Sequence, residues 1–365
     1  MTRSLRNTFI GASVERREDL RFLRGRGIYV DDLQVPGLLY AVILRSSVAH
    51  GRLRSVDVSG ALKIAGVHAV ITAKDMTSKD YPSGVPIVPM RLQPLPEFQP
   101  YEQPVIAYQK VRYVGEPIAV IVATDPYLAE DAADQVWAEL EELPVQLDPM
   151  PSGPGGILHE LVPDNVVGGF DISNGEDVDD LFTQADVVIQ ERFSIHRHSA
   201  SPMEPRGLVA EADSDSGRLT VWGPTKVKHF NKKVLAALLD LPADRILLIE
   251  PDVGGGFGPR GEFYPEDFLI PWLALHLQLP VKWVEDRYEN FVALNHSREH
   301  VIDLAVAARS DGSLLGFRST DWCSIGAYLL APFLHATSVP QTLQGNRGLR
   351  DFGGPRSRWR RVLVC

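Results

Sequence analysis

The chain contains 365 residues, with 47 acidic and 37 basic side chains, a formal net charge of −10 and 44% hydrophobic residues. This composition is that of a globular protein of two or three domains, and its acidity argues against binding nucleic acid, which requires clustered Lys and Arg. No segment approaches the roughly 18 uninterrupted apolar residues of a membrane span. With only two cysteines, Cys323 and Cys365, the chain has no ligand set for an iron–sulfur cluster, and we expect a cytoplasmic protein.

The first part of the chain is predicted to contain an N-terminal arm, residues 1–20, and a domain over residues 21–148. β-branched residues predict strands at 37–46 and 68–73, and between them a short helix that begins at Ser59 and ends at Gly66. Seven prolines between residues 81 and 104 disfavour a helix or a central strand there. We expect an extended loop that crosses the surface.

Regular structure is predicted to resume with residues 111–124. The apolar run 118–123 indicates a strand buried on both faces. Asp125 as N-cap and Pro126 at the first helical position predict a helix after it, with apolar side chains at helical spacing as far as Leu140. Residues 142–148 then predict a strand, and the Pro- and Gly-rich segment 149–164 is the expected linker.

The second domain is predicted over residues 165–340, where strands and helices are mixed. The predicted strands are 185–199, 217–224, 245–253, 280–287, 300–309 and 314–322, and the predicted helices are 229–242 and 264–278. The two regions together predict an α+β protein.

A glycine cluster is the most informative segment of the chain. Five glycines fall within residues 254–261, between a predicted strand and a predicted helix. Such a loop is costly in conformational entropy and usually exists because the backbone adopts positive φ or approaches another group closely. Its free N–H groups would suit a ligand with phosphate or pterin acceptors.

Gly256, Gly258 and Gly261 also satisfy the pattern GxGxxG of dinucleotide-binding proteins, with an acidic residue, Glu285 or Asp286, at the end of the next strand. In those proteins the helix begins inside the glycine run, whereas prolines here place its start after the last glycine. The match to the GxGxxG pattern nevertheless makes an NAD-type oxidoreductase an alternative hypothesis. In a second alternative hypothesis, the glycines only form a tight turn.

Several motifs in one order point to a known family. They are VGGGFG followed by Arg and YPED, SPMEPRG at 201–207, PVKWVEDRYENF at 280–291 and NHSRE at 295–299. Together they resemble the molybdopterin-binding large subunit of the xanthine dehydrogenase family, which includes aldehyde oxidases and aerobic carbon monoxide dehydrogenases. Residues 24–53 and 111–134 resemble the α/β-hammerhead domain of that family. The resemblance covers about residues 16–330 and implies an α/β-hammerhead domain followed by the first molybdopterin-binding domain.

The resemblance also implies a cofactor, a molybdenum–molybdopterin (cytosine) dinucleotide. Gly255 and Gly256 would contact the pterin, and Phe257 and Gly258 would line the surroundings of the metal.

Two positions depart from the family pattern. Lys226 stands where relatives commonly carry a Gln that hydrogen-bonds an oxygen ligand of molybdenum. A Lys offers donors and a positive charge but no acceptor, and its alternative role is a solvent-facing side chain. Xanthine-oxidising relatives carry a substrate-orienting Glu at the position of Gly261, so Glu262 beside it is the predicted substrate contact.

The implied activity is oxidative hydroxylation of an aldehyde, an N-heterocycle or a similar small electrophilic carbon substrate, with water as the oxygen source. Electrons would pass to a small subunit with [2Fe–2S] clusters and a medium subunit with FAD. In the family the general base lies beyond the part of the sequence present here, so the sequence assigns no catalytic residue.

Other polar groups are less informative. His196 and His198 share one face of a strand but have no third ligand at useful spacing, so no metal site is predicted. Glu204 and Arg206 either contact substrate or have an ion-pair or turn role, and residues 285–287 are expected to form a charge network.

The last segment, 341–365, departs from the family. Six arginines and little apolar periodicity stand where relatives continue into strands and another molybdopterin-binding domain. We interpret this as a truncation or a change of reading frame near residues 340–345, with a basic arm for anionic partners as the alternative. A non-catalytic remnant is therefore a further hypothesis.

Overall fold

The computed structural model describes residues 10–78, 81, 84–90, 96–150, 156–162, 164–174, 178–223, 226–329 and 356–364. The strands are β1 Leu39–Arg45, β2 Gly51–Asp57, β3 Val67–Thr72, β4 Ile87–Val88, β5 Gln103–Pro104, β6 Lys110–Val111, β7 Pro117–Ala123, β8 Trp137–Glu142, β9 Val166–Asn174, β10 Val187–Ile195, β11 Gly207–Asp213, β12 Arg218–Trp222, β13 Ile246–Ile249, β14 Val281–Val284, β15 Glu299–Ala308, β16 Leu314–Ser324 and β17 Arg356–Val364. The α-helices are α1 Asp19–Leu23, α2 Ala73–Met76, α3 Pro126–Ala133, α4 Val178–Thr183, α5 Lys228–Leu238, α6 Pro265–Leu277 and α7 Arg287–Ala293. Helices and sheets are thus mixed, which confirms the predicted α+β class. In the part of the chain that the structure describes, no helix has the length and apolar character needed to span a membrane.

The largest sheet has seven strands in the order β13-β12-β11-β14-β1-β7-β3. It joins strands from both sides of the predicted linker, because β1 pairs in parallel with β14 through Leu39–Val281 and Tyr40–Lys282. Every residue of β7 is buried, as the apolar run 118–123 predicts. Helix α6 packs on β11 and β14 and buries Phe268, Leu269 and Leu273 almost completely.

Strand direction in this sheet gathers several loops at one edge. β12 and β13 are parallel, and β11 is antiparallel to both β12 and β14. β12, β13, β14 and β1 therefore all run in one direction. Since the carboxyl ends of parallel strands share an edge, the segments after these strands and the segment before β11 come together.

Three predictions for the first 150 residues are wrong in part. The segment 51–57 is the strand β2, and the helix expected from Ser59 to Gly66 is only a single 3₁₀ turn, Ala61–Lys63. Helix α3 begins as predicted, with the Asp125 carboxylate accepting hydrogen bonds from the amides of Tyr127 and Leu128, but it ends at Ala133. The strand expected at 142–148 lies earlier, at Trp137–Glu142, because it pairs with β2.

The proline-rich segment between 81 and 104 is not confined to the surface. Val85, Val88 and Met90 are almost completely buried, and Ile87–Val88 pairs with Gln103–Pro104 in a two-stranded sheet. Prolines exclude long elements here, as expected, but the apolar residues between them belong to the core.

The second sheet has five strands in the order β10-β15-β16-β17-β9. β17 pairs with β16 on one side and β9 on the other. Residues 330–355 and 365 lie outside the described residues, so most of the predicted tail does too. Residues 356–364 are paired at both edges of the strand, and the basic arm for anionic partners stays a prediction.

Candidate functional site

The glycine cluster lies at the sheet edge where the strand ends meet. It leaves β13, passes through a 3₁₀ turn at Pro259–Gly261 and enters α6 at Pro265. Gly255 and Gly258 have φ values of +113° and +111°, which L-residues with a Cβ rarely adopt. The sequence argument that these glycines serve the backbone conformation holds at both positions.

The backbone amides of this loop are largely unused within the described part of the chain. The amides of Gly255, Gly256, Phe257 and Gly258 donate no hydrogen bond to the described part of the chain. A Cβ built on Gly258 would meet no atom within 4 Å, and one on Gly256 only the Arg260 side chain at 3.9 Å. Consecutive unpaired amides with intervening left-handed residues form a concave donor surface that suits anionic or carbonyl-type acceptors.

Phe257 is an outlier within the loop. It is a non-glycine residue with φ of +48°, and 78% of its surface is exposed. A bulky side chain at positive φ costs free energy, and such residues cluster at ligand sites. The fold therefore presents an aromatic ring to the surroundings of the loop at some cost in backbone strain.

Glu204 and Arg260 hold the base of the loop. The Glu204 carboxylate accepts a hydrogen bond from the Gly254 amide at 2.7 Å, and the Glu204 amide donates to the Gly254 carbonyl at 3.2 Å. Arg260 lies 3.1 Å from the same carboxylate and donates to the carbonyls of Glu204 and Pro205. Burial lowers the pKa of the Arg260 guanidinium, although the Glu204 charge opposes this.

A buried ion network supports the helix that follows. Arg206 donates to Glu285 at 2.8 Å and to Glu266 at 3.0 Å, and Arg45 lies 2.7 Å from Glu266. The Arg206 guanidinium also stacks 4.1 Å from the centre of the Tyr264 ring. Of residues 285–287, for which the sequence predicts a charge network, Glu285 pairs with Arg206. Asp286 instead caps α7, and Arg287 donates to the neutral side chain of Asn290.

The other predicted residues lie in different surroundings. Lys226 follows β12 at the same edge and is exposed. Glu262 is half-buried and lines a cavity at the end of the loop. The side chain of His196 is 83% exposed near Glu299, and within the ranges that the structure describes no group of three or more His, Cys, Asp or Glu could hold a metal.

Sequence reasoning missed three residues of this region. Arg260 and Trp283 stand within family motifs that give them no role, and nothing in the sequence distinguishes Asn231. All three are buried and line the same cavity. No local signal in the sequence identifies this group, because the burial of Arg260 within the glycine cluster appears only in the folded chain.

Two family descriptions match the chain. The molybdopterin cofactor-binding domain matches residues 158–345, and the a/b hammerhead domain of aldehyde oxidase and xanthine dehydrogenase matches residues 24–144. The two matched domains thus define a molybdopterin-binding chain. It belongs to the aldehyde oxidase and xanthine dehydrogenase family, as the sequence motifs predict.

Individual relatives agree with this assignment. The chain is 38% identical to the 6-hydroxypseudooxynicotine dehydrogenase complex subunit gamma of Paenarthrobacter nicotinovorans, over 88% of this chain and 40% of that protein. It is 35% identical to the carbon monoxide dehydrogenase large chain of Afipia carboxidovorans, over 87% of this chain and 40% of that protein. The structure of quinoline 2-oxidoreductase from Pseudomonas putida 86 superposes with a TM-score of 0.83 at 31% identity, over 97% of this chain and 44% of that one. The chain thus spans about 40% of the length of these curated relatives.

The loop fits a molybdopterin better than a dinucleotide held at a helix end. Its unpaired amides and exposed outer face offer donors to the acceptor atoms of a pterin. Helix α6 begins only after the last glycine, so the geometry required by the NAD alternative is missing. Glu204 Oε1, buried and without a hydrogen-bond partner among the described residues, supplies an acceptor beside the same loop.

Proposed function

We propose that the chain forms the cofactor-facing part of the large subunit of a molybdenum hydroxylase, and that the enzyme hydroxylates an N-heterocyclic compound. The observation that carries the proposal is the loop of four unpaired amides at residues 255–258, in a chain of this family. Relatives named for pseudooxynicotine, nicotine and quinoline support a nitrogen-containing substrate over carbon monoxide or a simple aldehyde.

The residues of the chain have distinct proposed roles. The amides of Gly255 and Gly256 donate to the pterin, and Gly258 allows the backbone to approach the cofactor because it carries no Cβ. Phe257 faces the substrate side, where an exposed ring can stack on a flat heterocycle and exclude water. Lys226 makes a further contact with the cofactor, and Glu262 makes a contact with the substrate.

The bound cofactor supplies a two-electron oxidation of an electron-poor carbon. The balance is that a C–H bond and a water molecule become a C–OH bond, two protons and two electrons. The described residues hold and orient the reactants, and the general base belongs to another part of the enzyme. Electrons are accepted by partner subunits that carry FAD and [2Fe–2S] clusters.

The cofactor is proposed to be the cytosine dinucleotide form, in a cytoplasmic enzyme. Two cysteines in 365 residues suit a reducing compartment. Acid release of the nucleotide and mass spectrometry identify the base, and release of a nucleotide other than the cytosine form contradicts this part of the proposal.

The test of cofactor binding compares two glycines in matched surroundings. Gly258 and Gly312 both have positive φ, +111° and +87°, and a Cβ would meet no atom within 4 Å at either site. Substitution by Ala therefore strains the backbone similarly, but Gly312 lies in the turn between β15 and β16, away from the loop. Each chain is produced in cells that make molybdopterin, and bound molybdenum and pterin are measured.

The wild type and Gly312→Ala should retain both molybdenum and pterin, and Gly258→Ala should lose most of both. A wild-type chain that retains neither, or that retains nicotinamide nucleotide instead, contradicts the proposal. Equal retention by the two variants contradicts the role of the loop.

A further inference from the structure

A small cavity lies beside Arg260 and Glu262, at the end of the glycine loop. Its volume is about 20 Å³. It lies between the end of the loop, α5, β14 and the first turn of α6. The lining residues are Arg206, Gly207, Leu208, Asn231, Arg260, Glu262, Tyr264, Glu266, Asp267 and Trp283.

Three of these side chains carry buried polar atoms that are not hydrogen-bonded within the described ranges. They are Asn231 Oδ1, Arg260 Nε and Nη1, and Trp283 Nε1. Their residues are only 4%, 5% and 2% exposed. Most buried polar groups in proteins have a partner, because an unpaired one loses its hydrogen bonds to water without replacement.

The chemistry of these atoms selects the occupant. Arg260 and Trp283 offer donors, whereas Asn231 offers an acceptor, so the occupant must both accept and donate. A metal cation would face the guanidinium groups of Arg206 and Arg260, and an anion would face the Asn231 oxygen and three carboxyl groups. A volume of about 20 Å³ is sufficient for one water molecule, which needs about 10–15 Å³ of such space and two to four polar partners.

We infer that one bound water molecule occupies this cavity and hydrogen-bonds Asn231, Arg260 and Trp283. The water joins the loop, through Arg260, to helix α5 and strand β14. Arg260 in turn contacts Glu204, whose carboxylate and amide hold Gly254. Arg260 and Asn231 are thus positioning residues, and the water fixes the height of the loop above the sheet.

The direct test is a crystal structure of the chain at a resolution that shows ordered water. Density for one water within hydrogen-bond distance of at least two of the three side chains is the expected result. Side chains rearranged to bond each other directly, or density for a different ion or molecule, would overturn the inference.

A second test uses two substitutions of similar volume at Asn231. Asn231→Leu removes the acceptor, whereas Asn231→Asp keeps it. Hydrogen–deuterium exchange is followed at the amides of Gly254 and Gly261, which donate to Glu204 and to the Gly258 carbonyl. The amides of β7, deep in the seven-stranded sheet, report global unfolding.

Exchange at Gly254 and Gly261 should be about tenfold faster in Asn231→Leu, as expected for loss of one buried hydrogen bond, with β7 unchanged. Asn231→Asp should resemble the wild type. Wild-type exchange in Asn231→Leu, or equal acceleration of the loop and β7, would show that Asn231 has no positioning role. Neither experiment requires molybdenum, so the outcome is independent of the proposed function.

Discussion

Replacing Glu266 by Gln tests the buried ion network beneath the candidate site. Glu266 is 2% exposed, with one carboxylate oxygen 2.7 Å from Arg45 and the other 3.0 Å from Arg206. The substitution keeps the shape of the side chain and removes the charge that both buried guanidinium groups face. It also replaces one of the two acceptor oxygens by an NH₂ donor, so the measured cost contains one lost hydrogen bond as well as the lost charge.

The size of the effect follows from the pKa of Glu266. Burial alone would raise it, but Arg206 and Arg45 lower it from 4.5 to about 2. At about 1.4 kcal/mol per pH unit, this displacement corresponds to roughly 3 kcal/mol, at the lower end of the roughly 3–5 kcal/mol typical of breaking a buried ion pair. A loss of this size is a large fraction of the roughly 5–15 kcal/mol that stabilises an ordinary domain.

The pH dependence has a defined sign. Because the folded-state pKa lies below the unfolded one, the stabilisation is complete above about pH 4.5 and is lost as the pH falls toward about 2. Urea unfolding at a series of pH values should therefore show a difference between wild type and Glu266→Gln of roughly 3 kcal/mol at neutral pH. The difference should shrink toward zero in acid.

The exposed ion pair of Arg192 and Asp303 provides the control. Its atoms lie 2.5 Å apart with side chains 55% and 38% exposed, so Asp303→Asn should cost no more than about 1 kcal/mol. The reasoning is refuted if Glu266→Gln costs no more than this control, or if its cost does not change between neutral and acid pH.

Three further substitutions have definite expected outcomes. Burial raises the pKa of Glu116 from 4.5 to about 7. The melting temperature of the wild type should therefore fall relative to that of Glu116→Gln as the pH rises from about 4.5 to 7. Melting temperatures that change in parallel with pH in the two proteins would contradict this. A Cβ on Gly254 would lie 2.4 Å from the Cβ of Glu204, so Gly254→Ala should cost about 1–3 kcal/mol in urea unfolding. Gly168→Ala in β9, where the added Cβ meets no atom within 4 Å, serves as the control. Leu273 is completely buried in α6. Its replacement by Ala should cost about 2–5 kcal/mol in urea unfolding, and a smaller loss would contradict the expectation that the space left by the side chain stays open.

Local patterns predicted much of the fold where the signal lies within a few residues. The Asp125–Pro126 start of α3 and the position of α6 after the glycine loop follow from caps and apolar spacing. The end of α3 does not, because Val136 and Leu140 fit a helical spacing while the chain there forms β8. Its partner, β2, lies some eighty residues earlier, and that pairing leaves no mark on the local sequence.

In the candidate site, too, only the features that depend on neighbouring residues were predictable from the sequence. The glycine loop and its donor character were predictable, since glycine spacing is local. The support beneath it was not, because Arg45 comes from β1 and Glu266 from α6, segments far apart in sequence. The cavity likewise needs Asn231 and Trp283 from different elements, and only the folded topology brings them together.

The position of β17 has a consequence for how the chain folds. This strand, the last described segment, lies between β16 and β9, so β9 has no partner in its sheet until residues 356–364 arrive. During synthesis about 180 residues emerge between the end of β9 at Asn174 and the start of β17 at Arg356. A sheet closed by so distant a contact forms late, and we expect it to be the slow and aggregation-prone step of folding.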